Sequence, residues 1–290
     1  MKAPLKSSGE KGIFNKFDWV KEADSKLISA KLLRESGNQK KLELESLMKT
    51  VSYTSSDVFE VLTIKDAAYK SSVLMLGYAL ELLLKSGVVS LLISAPKDLL
   101  EKKVRAYSHN LVSVALDLGM KLSKGETELL KTLSSYIINE TRYPVTSESV
   151  EDYCNKTNEI NGFIANDKCF CDGLEFYSKL KNIINDIDGT PGNMKIYSRM
   201  ELERDGYIIF RVGGSLPPVI IVKYCQTQVD ANTNTLGTIK ELLINKNKQN
   251  MSIHSHLMEY SWDTALFFNV SNKQGLTRVS TGSEQLIGAQ

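Results

Sequence analysis

The chain has three histidines, His109, His254 and His256, so proton transfer near neutral pH has few candidates. His109 closes the run Arg105-Ala106-Tyr107-Ser108-His109. An arginine binds phosphate and neutralises developing negative charge, and a histidine moves a proton. Together they can cleave RNA without a metal, the ribose 2′-hydroxyl acting as nucleophile. On a helix that continues through both positions, residues four apart share one face. The alternative is a histidine at a helix start, hydrogen-bonded to nearby backbone. Glu81 and Arg142 are charges in apolar surroundings, where a charge must be paired or hydrogen-bonded. A Glu81–Arg142 contact across a helical bundle would meet that need. Lys85 is the competing partner for Glu81, four residues on and in the favourable order. His254 and His256 would point to one side of a strand, with Asp263 or Glu259 as further ligands. Nothing else has metal-site spacing, so exposed loop histidines are the expectation and no metal is expected.

Other chemistries are excluded by pattern. The phosphate loop Gly-x-x-x-x-Gly-Lys-Ser/Thr and the dinucleotide fingerprint Gly-x-Gly-x-x-Gly are absent. So are the Gly-x-Ser-x-Gly elbow and His-Glu-x-x-His. No cofactor is expected. Val212-Gly213-Gly214-Ser215 is a glycine loop, but Pro217-Pro218 follows it where a phosphate-binding loop needs a helix. The four cysteines include one Cys169–Cys171 pair and no second close pair, which predicts free thiols in a reducing, cytoplasmic setting.

The elements that position these residues are read from periodicity. A loose, flexible polar arm is expected over residues 1–16. Phe17, Trp19, Ala23, Leu27, Ile28, Ala30 and Leu33 mark an amphipathic helix, ended by Ser36-Gly37-Asn38 and followed by a shorter helix over 40–52. Thr54-Ser55-Ser56-Asp57 is a candidate cap for a long helical region over 63–94. Gly77 there costs about 1 kcal/mol relative to Ala unless a close helix crossing offsets it, and Gly87 is a candidate break. The stretch Ser71–Pro96 is apolar enough to raise a membrane span, which needs about 20 such residues. Glu81 and Lys85 at its middle favour a buried helix of a soluble bundle instead. Helices follow over 98–119, with a break near Ser108-His109-Asn110 and Asn110 or Ser108 as cap, and after the capping box Ser123/Glu126. Leu174, Tyr177, Leu180, Ile183 and Ile184 mark another. Asp188-Gly189-Thr190-Pro191-Gly192-Asn193 is the strongest break and the expected domain boundary.

Beyond it the period shortens toward two. Asp205-Gly206 between apolar runs predicts a hairpin, Val219–Tyr224 and Ala265–Val270 predict strands, and Ile239–Ile244 a short helix. The fold class expected is α+β: a helical bundle over 17–188, a small α+β domain over 194–282, and a tail over 283–290. Lys plus Arg number 36 against 34 Asp plus Glu, for a net charge of +2. Ten basic and eight acidic residues follow position 190, so neither part is a basic nucleic-acid module by composition.

Gly77-Tyr78-Ala79-Leu80-Glu81-Leu82-Leu83-Leu84-Lys85, then His109-Asn110-Leu111, then Arg142-Tyr143-Pro144 together resemble the HEPN superfamily of prokaryotic helical domains over about residues 65–145. The resemblance implies a bundle of about four or five helices, often a homodimer, in toxin–antitoxin, antiviral-defence or RNA-processing proteins. Catalytic members are metal-independent endoribonucleases with an Arg-x4–6-His motif, often composite across the dimer. By that resemblance Arg105 and His109 are the catalytic candidates, with Glu81, Lys85 and Arg142 supporting the site or forming a structural ion pair. Here three residues separate Arg105 from His109 and Ala106 follows the arginine. Two readings therefore stand: an RNA-binding, RNA-cleaving defence or stress protein, or a non-catalytic module that dimerises or docks a partner protein, with specificity in the C-terminal part.

Overall fold

The structure is a computed structural model, and it describes residues 3–49, 54–140, 144–203, 205–244 and 253–279. Among the described residues a helical region with seven α-helices comes first: α1 (Lys16–Leu47), α2 (Ser55–Leu91), α3 (Lys97–Ala106), α4 (Leu111–Asp117), α5 (Lys124–Ser135), α6 (Val150–Ala165) and α7 (Asp167–Asp186). A mixed sheet-and-helix region follows, so the architecture is a helical bundle with an α+β part after it.

α1 is one helix where two were expected. Gly37 does not end it, because a side chain there would collide with the Tyr69 ring 2.7 Å away; the glycine serves a close helix crossing instead. α1 and α2 run antiparallel, with Gly37 against Tyr69 at one level and Ala30 clustered with Leu76 at another. The Asn38 side chain accepts from the Tyr69 hydroxyl at 2.7 Å. α2 starts at a capping box, Thr54 with Asp57, and continues through Gly87 without a break. A Cβ at Gly87 would lie 2.8 Å from Leu118 and 2.9 Å from Ile184, so α4 and α7 approach there, as Ile137 does at Gly77. Packing outweighs the helix cost of both glycines. α2 is long and apolar enough to cross a membrane, and 78% of its most apolar window is buried inside the protein.

The polar arm is not loose over its described residues. Leu5 is buried, its N–H donates to Ala95 and its carbonyl accepts from Ser94. Glu10 pairs with Lys97 at 2.7 Å. One apolar side chain in a polar run is enough to fasten the segment when backbone partners lie beside it.

At the break after α7 the chain forms a two-residue ribbon, β1 (Gly189–Thr190) with β2 (Asn193–Met194). A five-stranded sheet follows in the order β3 (Ile196–Leu202), β4 (Gly206–Val212), β5 (Val219–Lys223), β6 (Leu266–Ser271), β7 (Gly275–Val279), with β5–β6 parallel and the rest antiparallel. The connection from β5 to β6 carries α8 (Gln226–Asp230), α9 (Leu236–Ile244) and α10 (Ile253–Ser261). Successive strand residues face opposite sides. Ile209, Ile221 and Phe268, aligned across three strands, join the helical core, while Phe210, Ile220 and Phe267 pack with Ile239, Met258 and Trp262 of the second core. The helical bundle and one face of the sheet thus share a core across the expected boundary. α10 and β7 were not predicted; α10 carries His254 and His256 on a helix, not a strand or loop.

Candidate functional site

The polar constellation that the sequence singles out assembles around Glu81 in the middle of α2. Its carboxylate is buried, and one oxygen lies 2.5 Å from Lys85 Nζ, one turn along. The other oxygen lies 2.8 Å from His109 Nδ1. A carboxylate only accepts, so Nδ1–H donates and Nε2 is left as the basic nitrogen of the neutral ring. His109 keeps 28% of its side chain exposed, against 8% for Glu81 and 10% for Lys85. The imidazole is therefore anchored from within and open to solvent at its rim. Tyr78 flanks it, ring centroids 6.3 Å apart.

The local chain explains why the histidine sits there. α3 ends at Ala106, and Ser108 adopts φ +50°, a left-handed turn that redirects the chain. Lys85 Nζ donates to the Ser108 carbonyl at 3.0 Å and holds that turn against α2. Asn110 then caps α4, its side chain accepting from the Ser113 N–H at 3.0 Å. The Leu111 N–H donates to Ser134 Oγ of α5. His109 is thus the residue between two helices, held by α2 through its own side chain and flanked by Asn110 and Leu111, which α4 and α5 fix.

This geometry changes the sequence expectation in two ways. Arg105 and His109 do not share a helix face, because the helix stops between them at a left-handed residue. Arg105 is exposed near the end of α3, and no hydrogen bond or ion pair joins it to His109. Glu81 takes Lys85 and His109 as partners; Arg142, its other expected partner, lies outside the described residues, as does the side chain of His254. His256 is exposed on α10. Among the described residues no group of three or more His, Cys, Asp or Glu side chains could hold a metal.

No family profile, curated protein or solved structure matches the chain.

A second charged cluster was not anticipated. Asp188, just after α7, lies 2.8 Å from Lys16, 3.0 Å from Lys195 and 3.7 Å from Arg211, and accepts from Ser90 Oγ at 3.0 Å. Burial pushes its carboxyl upward, but the hydrogen bonds and charges of Lys16 and Lys195 outweigh that and hold it at about 2. Arg211, on β4, is almost wholly buried and donates to the carbonyls of Ile187 and Gly213. Burial pushes its guanidinium down to about 10, still charged at neutral pH, with Asp188 opposing the shift. Its signal was present in the sequence: Arg211 is a lone charge in the apolar run Tyr207–Val212, the same pattern that drew attention to Glu81.

Proposed function

We propose that the chain is a prokaryotic HEPN-like defence or stress-response protein that cleaves RNA without a metal, with His109 as the proton-transfer group. The observation that carries the reading is the Glu81–His109 hydrogen bond of 2.8 Å, which holds the ring by Nδ1 against a buried carboxylate while the side chain stays partly open to solvent. A carboxylate that orients an imidazole in this manner selects its tautomer and faces the imidazolium that forms when the ring takes a proton. In the reaction, Nε2 removes the proton of a ribose 2′-hydroxyl, that oxygen attacks the adjacent phosphorus, and the bond to the 5′-oxygen breaks. The departing oxygen takes a proton from water or from the imidazolium. The products are a 2′,3′-cyclic phosphate and a 5′-hydroxyl. Arg105, exposed one short turn away in sequence, binds the phosphate. Lys85 acts as a positioning residue by holding Ser108. The test is end-group analysis of a short RNA incubated with the protein in EDTA. Cyclic phosphate ends, and no cutting of a substrate with a 2′-deoxy residue at the scissile position, are expected; 3′-hydroxyl ends would overturn the reading.

The docking reading is favoured by a specific surface. Phe17, Ile28, Leu32 and Leu42 of α1 are all well exposed. At 100° per residue they fall within roughly 80° of one another. An apolar stripe on one helix face suits a second copy or a partner helix. The two readings are compatible, and the first accounts for the anchored histidine that the second does not need.

A further inference from the structure

The charges around Asp188 do not balance. Lys16, Lys195 and Arg211 bring three positive charges, Asp188 one negative, and their side chains keep only 8%, 12%, 1% and 29% exposure. Charges in such a setting are costly unless matched. Among the described residues, no acidic side chain other than Asp188 forms an ion pair with any of the three cations. Donors are spare as well. An ammonium group has three N–H donors. Lys16 spends them on Asp188 and the Ile184 carbonyl, and Lys195 on Asp188. The Nε of Arg211 is buried with no hydrogen-bond partner among the described residues.

The chain is built to hold this arrangement. Gly213 (φ +93°) and Gly214 (φ +71°) lay the β4–β5 loop directly over Met194 and Ile187, where a Cβ would collide with their carbonyl groups. That loop supplies the Gly213 carbonyl to Arg211, and the Ser215 N–H donates to the Asp186 backbone carbonyl at 3.0 Å. Four segments therefore converge: the start of α1, the end of α7, the residue before β3, and β4.

We propose that the Lys16–Lys195–Arg211 cluster beside Asp188 is a binding site for a small dianionic oxyanion, a free phosphate or a phosphate monoester. The residual charge of +2 matches a dianion. The ligand approaches over the exposed side of Asp188, bridges the two ammonium groups, and is held from behind by the Arg211 charge. The site shares no residue with His109, so it stands whether or not RNA is cleaved there.

The test is titration of the whole protein with inorganic phosphate at about pH 8, followed by calorimetry and by melting temperature, with sodium chloride at matched ionic strength as control. A saturating heat and a melting-temperature rise that chloride does not reproduce are expected. Lys195→Gln should weaken binding by at least about fivefold, and Lys195→Arg should retain it. Asp188→Asn, which removes the competing internal anion, should tighten it. Adenosine monophosphate in place of phosphate separates the two sources: tighter binding names a phosphate monoester, equal or weaker binding a free oxyanion. A response equal to that of chloride, or equal affinity in the parent, Lys195→Gln and Asp188→Asn proteins, would overturn the proposal.

Discussion

Glu81 and Asp188 are both carboxylates set among cations, and they end in opposite balances. Glu81 is buried in the middle of a helix, answers one lysine, and spends its second oxygen on a histidine that reaches solvent. The formal charges of Glu81 and Lys85 cancel there, and His109 is the member most open to solvent. Asp188 lies at the seam between bundle and sheet, is partly exposed, and answers three cations. The first cluster is charge-matched and touches a histidine that reaches solvent; the second carries an excess of positive charge. Burial of a carboxylate therefore says little by itself about role. What decides it is whether a titratable neighbour reaches solvent and whether the charges cancel.

The largest effect expected on breaking this comparison is at Glu81. Glu81→Ala leaves Lys85 buried without its counter-charge and frees His109 from α2. Loss of one partner of a buried pair costs about 3–5 kcal/mol, read as a lower denaturation midpoint at unchanged slope. Phosphate should not restore it, because the phosphate site lies elsewhere.

Next comes Gly87→Val, which places a branched side chain where a Cβ alone would be 2.8 Å from Leu118 and 2.9 Å from Ile184. Overpacking of this kind costs about 1–3 kcal/mol, and thermal unfolding would show it. An unchanged melting temperature would mean that α4 and α7 can move away from α2, and that His109 is less firmly placed than its hydrogen bonds indicate.

A smaller effect concerns acid. The Asp188 carboxyl lies at about 2 in the folded chain against an ordinary value of 3.8. A lowered folded value contributes stability above the unfolded value, and that contribution fades as pH falls from about 4 through 2. With partial exposure its size is about 1–2 kcal/mol. Asp188→Asn should flatten the acid limb of the stability profile over that window; an identical limb in parent and variant would show that the cations do not hold the carboxyl down.

Much of the helical region was legible. The Thr54/Asp57 and Ser123/Glu126 boxes and the Asn110 cap are local signals, carried within four residues. The Ser123/Glu126 box forms as read; Thr54 caps α2 with Asp57, though the helix starts at Ser55 and not near 63, and of the two candidates Asn110 and Ser108 it is Asn110 that caps α4. The apolar runs of β4 and β5 were equally local. Gly37 and Gly87 misled because propensity marks them as helix breaks, while their use is contact with Tyr69, Leu118 and Ile184, residues 31 or more positions away in the chain. The Glu81–His109 contact spans 28 residues, and only the resemblance placed both residues in one site. α10 lacked a clean apolar stripe, and β7 is a short strand fastened by pairing with β6. The Asp188 cluster draws on four separated segments, so the sequence could flag Arg211 as a buried charge without naming its partners.

The account rests most on His109 as an oriented proton-transfer group. The direct measurement is cleavage of a mixed panel of cellular tRNA and mRNA in EDTA by the parent, His109→Ala and Arg105→Ala proteins, after circular dichroism shows all three folded. The account predicts cleavage by the parent, a loss of about 10²-fold or more in His109→Ala, and a clear loss in Arg105→Ala. Equal cleavage by the parent and His109→Ala, or none by the parent, would contradict it and leave the exposed face of α1 as the basis for a docking module.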